Sequence, residues 1–85
     1  MLRRRTPPSL VTLVTRQGCH LCEEAAPVVA AAAGAAGIAF EVRDVDADPA
    51  DRAAYGEKVP VVLLDGIEHA YWTVDARTLA RALRG

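Results

Sequence analysis

One abrupt change of pattern near the start limits what this chain can fold into. Residues 9–15 read SLVTLVT, β-branched and apolar, bounded by Pro8 and by a Gln17-Gly18 turn. Such a run is the pattern of a buried strand. Directly after it the chain turns alanine-rich from His20 through Ala36, with Glu23 and Glu24 at the front and Gly37 just past the end. Alanine favours the helix, early carboxylates complement its dipole, and glycine supplies the residue that ends it. Pro27 is expected to bend this helix. Residues 38–44 then alternate Ile38, Phe40 and Val42 with Ala39, Glu41 and Arg43, the period of a strand with one polar side. The result is a βαβ unit with two cysteines at its first junction.

The second half reads as clearly. Asp48 caps a short helix that has Pro49 at its first position and ends near Tyr55, before Gly56. Residues 60–64 and 67–71 flank Asp65-Gly66, a dipeptide suited to a two-residue hairpin turn because it tolerates positive φ. Asp75 caps a last helix with Leu79 and Leu83 four apart on one face. The expected order is β-α-β-α-β-β-α, an α/β fold.

With 85 residues the chain supports one core, and 52% hydrophobic with 25% charged residues is ordinary globular composition. Ten basic residues against eleven acidic favour neither nucleic acid nor a charged surface as partner. Residues 1–8, with Arg3, Arg4 and Arg5, are read as a flexible basic tail and 9–85 as the single domain. The apolar stretches 10–14 and 59–64 fall well short of the roughly 20 residues of a membrane-spanning helix. Polar residues from Thr15 onward also end the first stretch before a signal peptide is complete. A cytoplasmic monomer is the expectation. Two cysteines are too few for the multi-bridge framework of small secreted folds, so their value lies in reactivity or metal binding.

Reactivity is the better fit. Cys19 and Cys22 enclose His20 and Leu21 at the strand-to-helix junction. A thiol there meets free backbone N–H groups and the positive end of the helix dipole, both of which favour thiolate. Cys19 is therefore expected to react, and Cys22, one turn further in, to resolve a mixed disulfide on Cys19. Arg16 and a protonated His20 assist the thiolate, while Glu23 and Glu24 oppose it. Zinc needs four ligands, and beyond the cysteines only His20 and His69 are of the usual kind, so no metal site is expected. The segment Asp44-Val45-Asp46-Ala47-Asp48 imitates the start of a calcium loop, but Pro49 and Tyr55 occupy the positions needing Gly and Glu. It reads as a solvated, helix-capping loop. Tyr71 and Trp72 finish the core or cover the fourth strand, or else shape a substrate groove, in which case Trp72 is a substrate-binding residue.

The stretch from Thr15 to Cys22, with Pro27 five residues after the second cysteine and Val59-Pro60 opening the third strand, resembles a glutaredoxin-like member of the thioredoxin superfamily. The resemblance spans nearly the whole chain. It implies a thioredoxin-like fold, a mixed four-stranded sheet with helices on both faces. It also implies Cys19 as nucleophile, Cys22 as resolving thiol, a cis bond before Pro60, and the Val59 backbone as receiver of an extended substrate. Arg16 matches the basic residue that contacts the glutathione carboxylate. Tyr71-Trp72-Thr73-Val74-Asp75 fills the place of the family's Gly-Gly and polar or acidic pair, where Asp75 and its helix N-terminus are available to charged groups. The function implied is a small thiol-disulfide oxidoreductase acting on disulfides of proteins or low-molecular-weight thiols. No tightly bound cofactor is expected, and a reductase or glutathione is the electron source. The alternatives are a thioredoxin-fold adaptor and a glutathione-dependent iron–sulfur carrier ligated through Cys19.

Overall fold

β1 (Leu10–Thr15) lies inside the sheet because both of its faces carry side chains that can be buried, and residues 11 to 14 are. It pairs in parallel with β2 (Ala39–Asp44), Leu10 opposite Ala39, and antiparallel with β3 (Val61–Leu64), Val14 opposite Val61. β4 (Ile67–Tyr71) joins the far side of β3, which completes a mixed four-stranded sheet of order β2-β1-β3-β4. The structure is a computed structural model that describes residues 6–85. Arg3, Arg4 and Arg5 of the expected tail lie outside the described residues.

The two-residue period of the strands sorts the apolar residues into two cores. Val11 and Leu13 of β1 and Val62 of β3 face α1 (His20–Ala36) and α3 (Ala76–Leu83) and pack with Ala25, Val29, Ala33, Leu79 and Leu83. Val14, Val61 and Leu63 point the other way, against Val45, Tyr55 and Val59. Tyr55 ends α2 (Pro49–Tyr55), so helices cover both faces. The Asp65-Gly66 turn has φ of 51° and 83°, as a two-residue hairpin requires. Asp65 Oδ1 also accepts from the Ser9 and Leu10 N–H groups at 2.9 and 3.0 Å, fastening the start of β1 to the hairpin.

Two local expectations need correction. Residues 44–48 are not merely a solvated loop. Asp44 and Asp48 do accept from the N–H groups of Asp46 and Ala50, but a 3-10 turn, Val45–Ala47, lies between them and drives Val45 to full burial in the second core. Val42 is 56% exposed despite lying on the apolar side of the alternation. β2 is the outer strand, and Val42 borders a groove beside the first turn of α1 instead of entering the core. α1 runs unbroken through Pro27, which is exposed.

The register also fixes where the loops gather. β1 ends at Thr15, β3 begins at Val61 opposite Val14, and β4 ends at Tyr71 opposite Val61. The segments that follow β1, precede β3 and follow β4 therefore leave the sheet at the same end.

Candidate active site at the Cys19–Cys22 turn

Gly18 makes the turn out of β1 possible. Its φ is +74°, and a Cβ placed there would meet nothing within 4 Å, so the residue is required by conformation and not by space. The Cys19 N–H donates to the Arg16 carbonyl at 3.3 Å and closes the turn. Cys19 is then the N-cap of α1, with φ −94° and ψ 111°. Its carbonyl accepts from the Glu23 N–H at 3.1 Å, and its Sγ accepts from the Cys22 N–H at 3.2 Å. Sulfur thus occupies the place where a Ser or Asp oxygen ordinarily caps a helix. A negative sulfur there is held by the N–H donor and by the positive end of the helix dipole.

Cys22 is only 4% exposed and Cys19 is half-buried. Their Sγ atoms are joined as a disulfide, with the Cα atoms 5.2 Å apart. His20 and Glu24, one turn apart on the exposed side, pair through Nε2 and Oε2 at 2.8 Å. Among the described residues no group of three or more His, Cys, Asp or Glu side chains is arranged to hold a metal ion.

Arg16 is engaged away from the cysteines. Its Nε and Nη2 donate to the two carboxylate oxygens of Asp46 at 2.9 and 3.0 Å, and Nη1 donates to the Gly56 carbonyl at 2.9 Å. Arg52 reaches the same aspartate, donating to Oδ1 at 3.3 Å and to the Asp46 carbonyl at 2.9 Å. The hydrogen bond from Arg16 holds the Asp46 carboxyl below its ordinary value, and Asp46 in turn raises the Arg16 guanidinium. A bidentate fork of this kind fixes the chain entering the cysteine turn to the second helical layer.

The Val59–Pro60 peptide bond is cis. Pro60 is buried and Val59 half-buried against the second core. Trp72 holds this segment in place. Its N–H is shared between the carbonyls of Lys58 (3.1 Å) and Pro60 (2.9 Å), and its Nε1 donates to the Glu57 carbonyl at 3.0 Å. Trp72 has φ +64°, a conformation that costs a non-glycine residue about 1–3 kcal/mol; the hydrogen bonds from one residue into three carbonyls offset that cost. The ring stays 53% exposed and meets the half-exposed Tyr71 edge to face at 5.1 Å. The core reading of these aromatics therefore fails: β4 is an outer strand, and its last turn carries them into solvent. Lys58 pairs with Glu68 at 3.2 Å, 5.4 Å from the Tyr71 ring centre. Asp75 caps α3, its Oδ1 accepting from the Arg77 and Thr78 N–H groups at 2.8 and 3.2 Å.

The structure thus joins Cys19 to Cys22 and ties Trp72 to the Val59–Pro60 segment, all at one end of the sheet. Arg16, His20 and Asp75 each have an intramolecular partner. Three contributors went unnoticed in the sequence. Asp46 and Gly56 meet Arg16 from 30 and 40 residues away, which no local pattern reveals. Leu21 was legible: it lies off the buried stripe Cys22, Ala25, Val29, Ala33 and is 41% exposed. It walls a cleft of about 280 Å³ with Glu24, Ala25 and Val28 on one side and Trp72, Thr73 and Val74 on the other.

Residues 10–84 match the family described as Glutaredoxin-like domain (DUF836). A protein of Mycobacterium tuberculosis, described as uncharacterized, is 42% identical over 74 residues, spanning 81% of this chain and 76% of its own. Among solved structures, a protein from X. campestris superposes with a TM-score of 0.71 at 35% identity, covering 87% of this chain and 95% of that one. A mutant thioredoxin from Halobacterium salinarum superposes with a TM-score of 0.66 at 26% identity, over 88% of this chain and 71% of its own.

Proposed function

We propose that this chain, which belongs to the glutaredoxin-like domain family, is a small thiol-disulfide oxidoreductase in which Cys19 attacks and Cys22 resolves. The observation that carries the reading is the N-cap geometry: the half-buried Cys19 Sγ accepts the Cys22 N–H at 3.2 Å, while Cys22 is 4% exposed. In the reduced protein the Cys19 thiolate attacks one sulfur of a substrate disulfide, forms a mixed disulfide and releases the other substrate sulfur as thiolate. Cys22, losing its proton, then attacks the Cys19 Sγ and expels the second substrate thiolate. Two electrons pass to the substrate, two protons follow, and the Cys19–Cys22 disulfide remains. An external thiol, glutathione or a dithiol fed by a reductase, reverses that last bond.

No tightly bound cofactor enters these steps. The Val59–Pro60 segment serves as the backbone platform for an extended substrate. Substrates are disulfide-containing proteins or low-molecular-weight thiols, met by a monomer in a compartment that keeps thiols reduced, the cytoplasm. Among the described residues no helix is long and apolar enough to cross a membrane.

The test is catalysis of insulin reduction, run once with glutathione and its reductase and once with thioredoxin reductase. Wild type should accelerate the reaction with at least one of the two; Cys19→Ser should abolish it, and Cys22→Ser should accumulate a mixed disulfide detectable by mass. No acceleration with either source, or full activity in Cys19→Ser, overturns the reading.

A further inference from the structure

The cleft between Leu21 and Trp72 begins inside the reactive motif, since Leu21 lies between the two cysteines. Its walls are mainly apolar: Leu21, Ala25, Val28 and Val74, with the Trp72 ring at the rim. A ring this exposed is usually free to move, but here the indole N–H and the backbone N–H of the same residue are bonded to Glu57, Lys58 and Pro60. The ring is preorganised, so little side-chain freedom remains to be lost when something packs on it.

Charge narrows what that something is. Among the described residues lining the cleft, Glu24 is the only charged one, and Glu23 stands exposed on the same first turn. The basic side chains of Arg16, Lys58 and His20 at its margins are engaged, Arg16 with Asp46 and Gly56, Lys58 with Glu68, and His20 with Glu24. A small thiol bearing carboxylates finds acidic neighbours and, among the described lining residues, no cation. An aliphatic or aromatic side chain finds a fixed apolar wall.

We propose that this cleft is a side-chain pocket that selects polypeptide disulfides carrying an apolar residue beside the cysteine attacked by Cys19; the proposal rests on the dithiol function argued above. The chemistry is the two-step exchange already described, with the polypeptide disulfide as electron acceptor and both of its sulfurs leaving as thiols. The pocket begins at Leu21, which lies between the two cysteines in the chain, so selection appears in the rate of the first attack.

Two measurements test it. In the first, fully reduced wild type is mixed without recycling reductant with oxidised peptides that differ only in the residue next to cysteine, Leu, Ser or Asp, and with glutathione disulfide. The Leu peptide should react at least about tenfold faster than the Asp peptide or glutathione disulfide, the scale on which an apolar pocket discriminates. Trp72→Ala should bring the Leu-to-Asp ratio to within about twofold, as expected when one wall of the pocket is gone. In the second, the fluorescence of Trp72, the sole tryptophan, is followed in the Cys19→Ser, Cys22→Ser protein, which cannot react. Peptides with S-methylcysteine beside Leu should shift the emission saturably, whereas the Asp counterpart and S-methylglutathione should not. Equal rates across the peptides, faster reaction of glutathione disulfide, or an unresponsive tryptophan overturns the pocket and leaves the dithiol function standing. If wild type reduces none of the disulfides, the oxidoreductase reading is what fails, and saturable Leu-selective fluorescence still decides for the pocket.

Discussion

In the reduced protein, iodoacetamide should alkylate Cys19 much faster than Cys22, and the structure sets a scale for the difference. Cys22 reacts only after the first turn of α1 opens, because its side chain is 4% exposed. Opening breaks the hydrogen bond from the Cys22 N–H to the Cys19 Sγ, worth about 1 kcal/mol net. It also brings one small apolar side chain into water, about 1 kcal/mol by the value of a buried methylene. Together these make about 2 kcal/mol, or roughly a thirtyfold lower population of reactive Cys22 at about 1.4 kcal/mol per decade. Any preference of the helix N-terminus for the Cys19 thiolate adds to this ratio. The assay is a brief pulse of light iodoacetamide on reduced protein, followed by denaturation, heavy reagent and peptide mass analysis. Comparable labelling of the two cysteines would refute both the shielding of Cys22 and the division of roles built on it.

Three further outcomes follow from the packing. Leu79→Ala removes a fully buried side chain from the short helix α3 and should cost about 2–5 kcal/mol, lowering the calorimetric Tm by more than about 10 °C; a drop below ~4 °C would show that α3 contributes little to the first core. Gly56→Ala puts a Cβ 2.5 Å from the Arg52 carbonyl oxygen, so the urea midpoint should fall by the equivalent of about 1–3 kcal/mol, and an unchanged midpoint would mean that the α2 end yields freely. Asp46 has a carboxyl held below the ordinary aspartate range chiefly by the Arg16 hydrogen bond, so its folded pKa lies under its unfolded one. The stabilisation it contributes is therefore present above the unfolded value and lost as pH falls through the lower folded value. The Arg16 Nε–H resonance should stay protected from exchange near neutrality and lose protection only in that acid range, and the same profile in Asp46→Asn would refute the pairing.

Much of this was legible in the sequence because the deciding contacts are short-range. The two aspartate caps expected from the sequence, Asp48 and Asp75, each bond to a backbone N–H two or three residues on, and the Asp65-Gly66 turn is set by its own dihedral preferences. The sequence supports a single core, and its division into one cluster on each face of the sheet emerges only in the folded structure. What stayed hidden depends on partners distant along the chain. Arg16 reads as a free cation three residues before Cys19 until Asp46 and Gly56 are folded against it. Val45 reads as part of an acidic, solvated run because a single apolar residue has no period to betray its burial. Trp72 reads as core or as groove wall because size and hydrophobicity do not reveal that its backbone lies in the left-handed region and that the residue is exposed.

Those long-range bonds also bear on how the dithiol operates. Arg16 fixes the chain entering the cysteine turn, and Trp72 fixes the segment around Val59–Pro60. In the proposed exchange Cys22 has to approach a sulfur on Cys19 that carries a substrate, which requires one part of the site to yield. The first turn of α1 is the part with fewest constraints. Its exposed face is held by the His20–Glu24 pair, a surface contact of small value. Pro27, having no N–H, leaves the Glu23 carbonyl without its helical donor. A helix that is alanine-rich and packed from Ala25 onward but short of one bond at its start can open there without disturbing the sheet. In the proposed exchange the bond missing at Pro27 favours opening in the turn that carries Cys22, while the Val59–Pro60 segment is held by the hydrogen bonds of Trp72.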